Sequence, residues 1–263
     1  MKELDLSGIH ERLIDMAYMI DKICARHKIP LYMISGTMLG AIRHQGFIPW
    51  DDDMDFAVPF EHYFNLIDIL NRELPKKYKC LTFNDSKTYL TSWIKIEDTE
   101  TIFNDRYLDV SFEDMPGLTI DIFPLTSCNK QSSLRIMKRI HHLMQMVNII
   151  IVLKNIKNKW MVVFKQSIKQ FLSFCAKCML RKINKLMKEI QPGAHYIIPT
   201  DPNYHYKYFP MEWFHPETKY KFIDNDFTGV TNYDCYLTEL YKDYMKLPPA
   251  DKRRVHSRNV FLK

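Results

Sequence analysis

The chain is predicted to fold as an α/β protein of the α+β kind, a mixed sheet carrying helices. Three observations predict it. Helical and strand periodicities alternate as far as Phe123, aspartates interrupt two of the apolar strands, and a long basic amphipathic stretch separates this part from the C-terminal elements. Ile9, Leu13, Met16, Ala17, Ile20 and Cys24 recur at helical spacing, which predicts a helix over Gly8–His27. Apolar runs bounded by turn residues predict strands at Leu31–Ser35 and Asp53–Val58, with a short helix, Met38–Ile42, between them. The amphipathic Phe60–Leu74 is a predicted helix, and Tyr78–Phe83, Tyr89–Ile96 and Leu118–Phe123 are predicted strands. Near the end, Tyr233–Tyr244 has helical spacing and stops before Pro248-Pro249. With 263 residues and 46% apolar content the chain can bury a sizeable core, and it is read as one domain, 1–263, with 130–190 a basic helical insertion.

Four aspartates occupy five positions, Asp51, Asp52, Asp53 and Asp55, just before an apolar strand. Carboxylates this close repel unless protons or a cation neutralise them, and the pattern points to metal chemistry. Mg²⁺, or Mn²⁺ in its place, is the cofactor expected, because it prefers carboxylate oxygen and completes its shell with water and substrate phosphate. Period-two alternation puts Asp53 and Asp55 on one face, with Met54 and Phe56 on the other, and makes those two the principal metal pair. Asp51 and Asp52, at the strand mouth, are either further ligands or solvated turn residues. Asp121 interrupts the apolar run Leu118–Pro124 and is read as a third carboxylate of the site, with a salt bridge or a strand-end cap as the alternative. Seven glycines, with neither GxGxxG nor GxxxxGK[ST], exclude a Rossmann or Walker cradle and leave Ser35-Gly36-Thr37 as the phosphate turn.

The block SGTMLGAIRHQGFIPWDDDMDFAVP, the later KIED (Lys95–Asp98), the strand LTIDIFPL and the C-terminal YLTELYKDYMKLPPADKR together resemble the LicD family of phosphotransferases, within the nucleotidyltransferase superfamily. The resemblance runs from the first helix to the C-terminus, with the middle segment unmatched by a specific motif. It implies a nucleotidyltransferase-like mixed sheet with flanking helices. By position, Gly36-Thr37 match the family's small pair, with Thr in place of the common Ser, Asp53 and Asp55 match its Asp-x-Asp, and Asp121 its third carboxylate. The implied reaction moves a phosphorylated small alcohol, phosphocholine or similar, from a CDP-linked donor to a sugar hydroxyl. The implied acceptor is a cell-surface glycan such as lipopolysaccharide, teichoic acid or capsule, possibly in lipid-linked form. Asp121 is the residue expected to take the acceptor's proton, or else to ligate a second metal. Arg43, His44 and Lys95, inside the matched blocks, are candidates for binding substrate, Arg and Lys through phosphate.

Residues 130–190 carry fourteen Lys and Arg against one acid, Glu189, while the whole chain is only +6. The aliphatic and aromatic residues between them (Ile149–Leu153, Trp160–Phe164, Phe171–Phe174) suit helices in a membrane interface, with packing over the catalytic sheet as the alternative. That aliphatic load disfavours a nucleic-acid partner. No uninterrupted apolar run reaches the roughly 18 residues that span a bilayer, so peripheral association with an anionic membrane surface is expected. The scattered cysteines are read as packed free thiols, and MKELDLSGIHERL lacks an apolar signal core, which together place the protein in the cytoplasm, on the inner face of the cytoplasmic membrane. Two rival functions remain: a metal-dependent glycosyltransferase using Asp-x-Asp to bind a nucleotide sugar, and a non-catalytic glycan-associated protein.

Overall fold

A computed structural model describes residues 2–85, 89–103, 115–154, 165–201, 204, 206–249, 251, 253 and 260–263. Helix α1 (Leu6–Arg26) begins where the Asp5 side chain accepts the Gly8 N–H at 2.9 Å. Its buried stripe, Leu13, Met16, Ala17 and Ile20, is the one its spacing predicts. Strand β1 (Tyr32–Met33) is shorter than expected because Ser35 already starts α2 (Ser35–His44). Strand β2 (Asp55–Pro59) runs directly into α3 (Phe60–Glu73). Asp53 precedes β2 rather than lying within it, since the Asp55 N–H is taken by Thr37 Oγ1 at 2.8 Å.

Strands β3 (Tyr78–Leu81), β4 (Ile94–Asp98), β5 (Thr101–Phe103) and β6 (Thr119–Cys128) follow. Strand β3 stops early at a turn in which Asp85 accepts from the Thr82 hydroxyl at 2.5 Å. Tyr89–Trp93, expected as strand, is irregular chain leading into β4. Helices α4 (Lys130–Lys154) and α5 (Lys165–Lys188) come next, then β7 (His195–Ile197) and β8 (Phe209–Pro210). A hairpin of β9 (Thr218–Phe222) and β10 (Asn225–Gly229), helix α6 (Tyr233–Tyr241) and β11 (Val260–Leu262) complete the described elements.

The main sheet runs β3-β4-β6-β2-β1-β10-β9, with β7 on β6 and β8 on β7, while β11 pairs β5 apart from it. Strand pairs β2/β6 and β1/β10 are parallel and the others antiparallel, so the sheet is mixed, as expected. The register places Asp55 opposite Asp121 and Lys95 opposite Asp121, so these three side chains lie in one row across β2, β6 and β4. Helices α1 and α3 and the strand interiors share one core, to which Phe56, Ile122 and Leu125 belong. Helices α4 and α5 pack on each other in a second core, where Met137, Ile140 and Val147 meet Leu180 and Ile183 together with Phe83 and Ile197 from the sheet side.

Three of the six cysteines, Cys24, Cys80 and Cys128, are buried as expected, and burial pushes the first two up to about 12. Cys178 and Cys235 are instead exposed, on outward positions of α5 and α6. Trp160–Phe164 lies outside the described residues.

Candidate active site

The acid loop is built by short-range contacts. The Asp51 N–H donates to the Ile48 carbonyl at 2.9 Å, and His10, stacked on Phe47, reaches the Asp51 carbonyl at 2.7 Å. Oxygens of Asp51, Asp52 and Asp53 all lie within 4.8 Å of one another, with Asp52 fully buried. Gly36, in the first turn of α2, lies so close that a Cβ there would stand 2.9 Å from Asp51 Oδ2. Only glycine fits that approach without displacing the carboxylate.

Asp55 opens β2 at the foot of this loop. Burial, then the charges of Asp53, Asp121 and Asp201, push its carboxyl well above the ordinary range, with Lys95 pulling the other way. Asp121 is held from both sides. Lys95 Nζ donates to its Oδ1 at 2.5 Å and Trp93 Nε1 to its Oδ2 at 2.8 Å. The Lys95 ammonium also lies over the Tyr89 and Trp93 rings, 5.1 and 5.8 Å from their centroids. The salt bridge expected as the alternative for Asp121 is present, and the same carboxylate lies opposite Asp55 across the β2/β6 pair.

Ser35, Gly36 and Thr37 form the first turn of α2 rather than a free turn, and this helix has no side-chain cap. Ser35 sits at φ 50, in the left-handed region that non-glycine residues rarely enter. Two tyrosine hydroxyls hold it there. The Ser35 N–H donates to Tyr204 Oη at 3.0 Å and to Tyr236 Oη at 3.1 Å, and its hydroxyl meets Tyr204 Oη at 2.7 Å. Tyr204 and Tyr236, 2.5 Å apart at their hydroxyls, are pushed upward chiefly by burial.

Four residues of this site lie outside the sequence reading: Asp201, Tyr204, Tyr236 and Tyr241. Asp201 is 6% exposed and bears electrostatically on Asp55. The Tyr241 phenol, raised by desolvation and by Tyr236, also feels Asp55, Asp51 and Asp201. In sequence Asp201 lies in the turn-type stretch Pro199-Thr200-Asp201-Pro202, which gives no signal of its burial.

Arg43 and His44 stand at the other end of α2, about 12 Å from Ser35 by helical rise. Arg43 donates to the Tyr244 carbonyl at 2.7 Å and to His44 Nε2 at 3.0 Å, and burial lowers both side chains. Arg43 borders a cavity of about 290 Å³ that Trp50, Tyr241 and Tyr244 also line, and His44 stands beside Arg43 as its hydrogen-bond partner. The structure therefore gathers Asp51, Asp52, Asp53, Asp55, Asp121, Lys95 and Ser35–Thr37 around one point, and leaves Arg43 at the cavity that Tyr241 lines, with His44 beside it.

As a donor set, Asp51, Asp52 and Asp53 offer only hard carboxylate oxygens close enough to share one ion, and the adjoining Asp55 carboxyl is driven toward protonation by burial and then by its acidic neighbours. That chemistry fits Mg²⁺ or Mn²⁺ and does not fit a soft thiophilic metal.

Residues 28–149 match the family model described as LicD/FKTN/FKRP, nucleotidyltransferase domain. Over 97% of its length, and 97% of the relative's, the chain is 26% identical to a protein of Haemophilus influenzae named lipopolysaccharide cholinephosphotransferase LicD. Uncharacterized proteins of Rickettsia prowazekii and Rickettsia typhi are 43% and 41% identical over 49 residues, 19% of this chain and 18% and 16% of theirs. The matched region supplies the acid loop, β2, β4, β6 and α2, while Asp201 and the three tyrosines come from beyond it.

Proposed function

We propose, from the LicD-family nucleotidyltransferase domain that residues 28–149 carry, that the protein is a phosphotransferase acting on a cell-surface glycan. In this reading it moves a phosphorylated small alcohol, phosphocholine or a close analogue, from a CDP-linked donor to a sugar hydroxyl, on lipopolysaccharide or a similar glycan. The observation that carries the reading is the meeting of Asp53 and Asp55 with Asp121 beside the uncapped first turn of α2. The full-length similarity to a cholinephosphotransferase supports the choice of cargo.

Each part of the site has a role in this reaction. The N–H groups of Gly36 and Thr37, at the positive end of α2, face a donor phosphate, and the missing Cβ of Gly36 lets the Asp51 carboxylate sit against the same turn. Asp53 and Asp55, with Asp51 and Asp52 beside them, are the residues that would hold a divalent cation, which would supply positive charge against the donor diphosphate. Asp121 receives the proton of the acceptor hydroxyl as that oxygen attacks the phosphorus bearing the alcohol. The phosphoanhydride bond breaks, and CMP leaves with its electron pair. Lys95 and Trp93 fix the Asp121 carboxylate in position for that transfer.

The test is a panel of CDP-alcohols incubated with the protein, Mg²⁺ and a glycan acceptor, read as CMP release and as phosphoalcohol on the glycan. One donor should be consumed, and Asp55→Asn should lower turnover by at least ~10²-fold, as for loss of one strong electrostatic contact. Consumption of nucleotide sugars in place of CDP-alcohols would make the protein a glycosyltransferase. Inertness toward both classes would make it a non-catalytic glycan-associated protein.

A further inference from the structure

The α4–α5 hairpin is segregated along its length. Thirteen large hydrophobic residues are exposed among the described residues, and eight of them lie on these two helices. On α4 the exposed apolar positions cluster toward its C-terminal end, at Met146, Ile149, Val152 and Leu153, and on α5 toward its N-terminal end, at Ile168, Phe171 and Phe174. Among the described side chains the exposed cations lie toward the opposite ends of both helices, as Arg135, Lys138 and Arg139 on α4 and Arg181, Lys182 and Lys185 on α5, while Lys169 is half-buried near the apolar end and Lys154 and Lys165 bound it in sequence.

The two sets share one axis. Lys138, Arg139, His142, Leu143 and Lys182 line a common groove of about 310 Å³, which brings Lys182 level with His142. Counting outward from that level, Phe174 and Phe171 stand about 12 and 16 Å further along α5, and Ile149 and Leu153 about 10 and 16 Å along α4, at 1.5 Å per residue. Among the described side chains, the exposed apolar positions of both helices therefore lie on one side of a cationic collar. Ile149, Val152, Phe171 and Phe174 are each about 60% exposed, so the hairpin's own core does not absorb them.

We infer that this apolar tip inserts into an anionic lipid surface, with the Lys138–Arg139–Lys182 groove receiving lipid phosphates. With lipid phosphates at the groove, side chains about 10–16 Å beyond it would lie below the headgroups, at or past the roughly 5–10 Å that interfacial helices reach. Charge complementarity selects anionic lipid over a neutral surface or a second copy of this basic hairpin, since Glu189 is the single acid among residues 130–190. By length and composition Lys130–Leu153 is apolar enough to cross a membrane. Its buried stripe is nevertheless engaged with α5 and with Ile197 of the sheet, and its first half carries four cations, which fits shallow insertion of one end. This inference stands on the hairpin alone and is independent of the reaction assigned to the acid cluster.

The test is flotation of the full-length protein with vesicles of phosphatidylglycerol and phosphatidylcholine, against vesicles of phosphatidylcholine alone. The wild type should float with the anionic vesicles and lose binding as salt is raised. A Lys138→Glu, Arg139→Glu, Lys182→Glu variant should bind at least ~10²-fold more weakly, at the contribution expected for each cation near a charged surface. An Ile149→Ser, Phe171→Ser, Phe174→Ser variant, whose charge is unchanged, should also bind at least ~10-fold more weakly, because three buried side chains are lost. Both variants alter exposed positions and should keep the wild-type melting temperature. Phe171→Trp should show a blue-shifted emission increment, relative to wild type, on adding anionic vesicles only. Full flotation of the serine variant, or no shift at Trp, overturns tip insertion. Failure of the wild type to bind anionic vesicles overturns the lipid surface altogether. Resistance of membrane-bound protein to alkaline carbonate would make α4 a spanning helix, and loss of self-association in the serine variant with unchanged lipid binding would assign the tip to a second copy.

Discussion

The packing of Asp51, Asp52 and Asp53 can be tested through stability without any substrate. Their oxygens lie within 4.8 Å, so each pair repels by about 1 kcal/mol under water-like screening and by ~3.5 kcal/mol at an effective dielectric of about 20. Asp53→Asn keeps the shape and deletes two of the three repulsions. Because Asp51 and Asp53 are half-buried, the lower end applies, and the metal-free variant should gain ~2 kcal/mol. For a domain of this size that gain raises the melting temperature by roughly 4–8 °C. Calorimetry in a chelator and in millimolar Mg²⁺ gives the four needed values. The wild type should gain most from the cation, about 2.7 kcal/mol at a hundredfold excess over Kd, while Asp53→Asn gains little. The order of the two proteins should therefore narrow or reverse when Mg²⁺ is added. If Asp53→Asn is the less stable protein in chelator and Mg²⁺ leaves wild type unmoved, the protein's own contacts hold these acids, and the cation site is wrong.

The raised carboxyl of Asp55 sets a pH dependence in metal-free protein. The folded state keeps a proton that the unfolded chain releases at about pH 4, so stability is complete below that pH and declines as pH rises toward the folded value. Melting curves against pH should show this decline in wild type and not in Asp55→Asn, and Mg²⁺ should flatten it. Lys95→Met strands the Asp121 carboxylate and should cost about 2–3 kcal/mol in urea denaturation, with most of the loss restored by adding Asp121→Asn. Tyr204→Phe removes the hydroxyl that meets both the N–H and the hydroxyl of Ser35, and should cost ~1 kcal/mol while lowering turnover by reorienting the first turn of α2. Arg12→Ala leaves Asp98, 1% exposed, without the guanidinium it binds and should cost ~3–5 kcal/mol, seen as a lower urea midpoint with the donor Km unchanged.

What could be read in the sequence follows the range of the interactions involved. Asp55, Asp121 and the helix stripes were legible because period-two and helical patterns are local, and a carboxylate inside an apolar run advertises its cost. Their adjacency was not local, since it depends on β2 and β6 pairing in parallel across more than sixty residues. Tyr204 and Tyr236 look like ordinary core aromatics, and only the fold brings their hydroxyls to Ser35. Arg43 shows the converse, because a matched motif drew attention to a side chain whose hydrogen bonds go to Tyr244 and His44. The β9–β10 hairpin carries a local trace in the sequence. Ile223-Asp224 forms a two-residue loop with Ile223 at φ 58, flanked by the alternation of Lys219, Tyr220, Lys221 and Phe222.

The parallel pairing of β10 with β1 has a consequence for synthesis on the ribosome. Strand β1 is made early, yet its second neighbour emerges almost two hundred residues later, together with Tyr236, which braces Ser35. Until then the growing sheet ends at β1 with an open edge, and loop closure over so long a span is slow. A nascent chain therefore carries its full set of aspartates from Asp51 to Asp121 without the scaffold that orients the adjoining helix turn. A chain stalled after α5 would hold the acids from Asp51 to Asp121 and lack Tyr204 and Tyr236, whose hydroxyls brace Ser35.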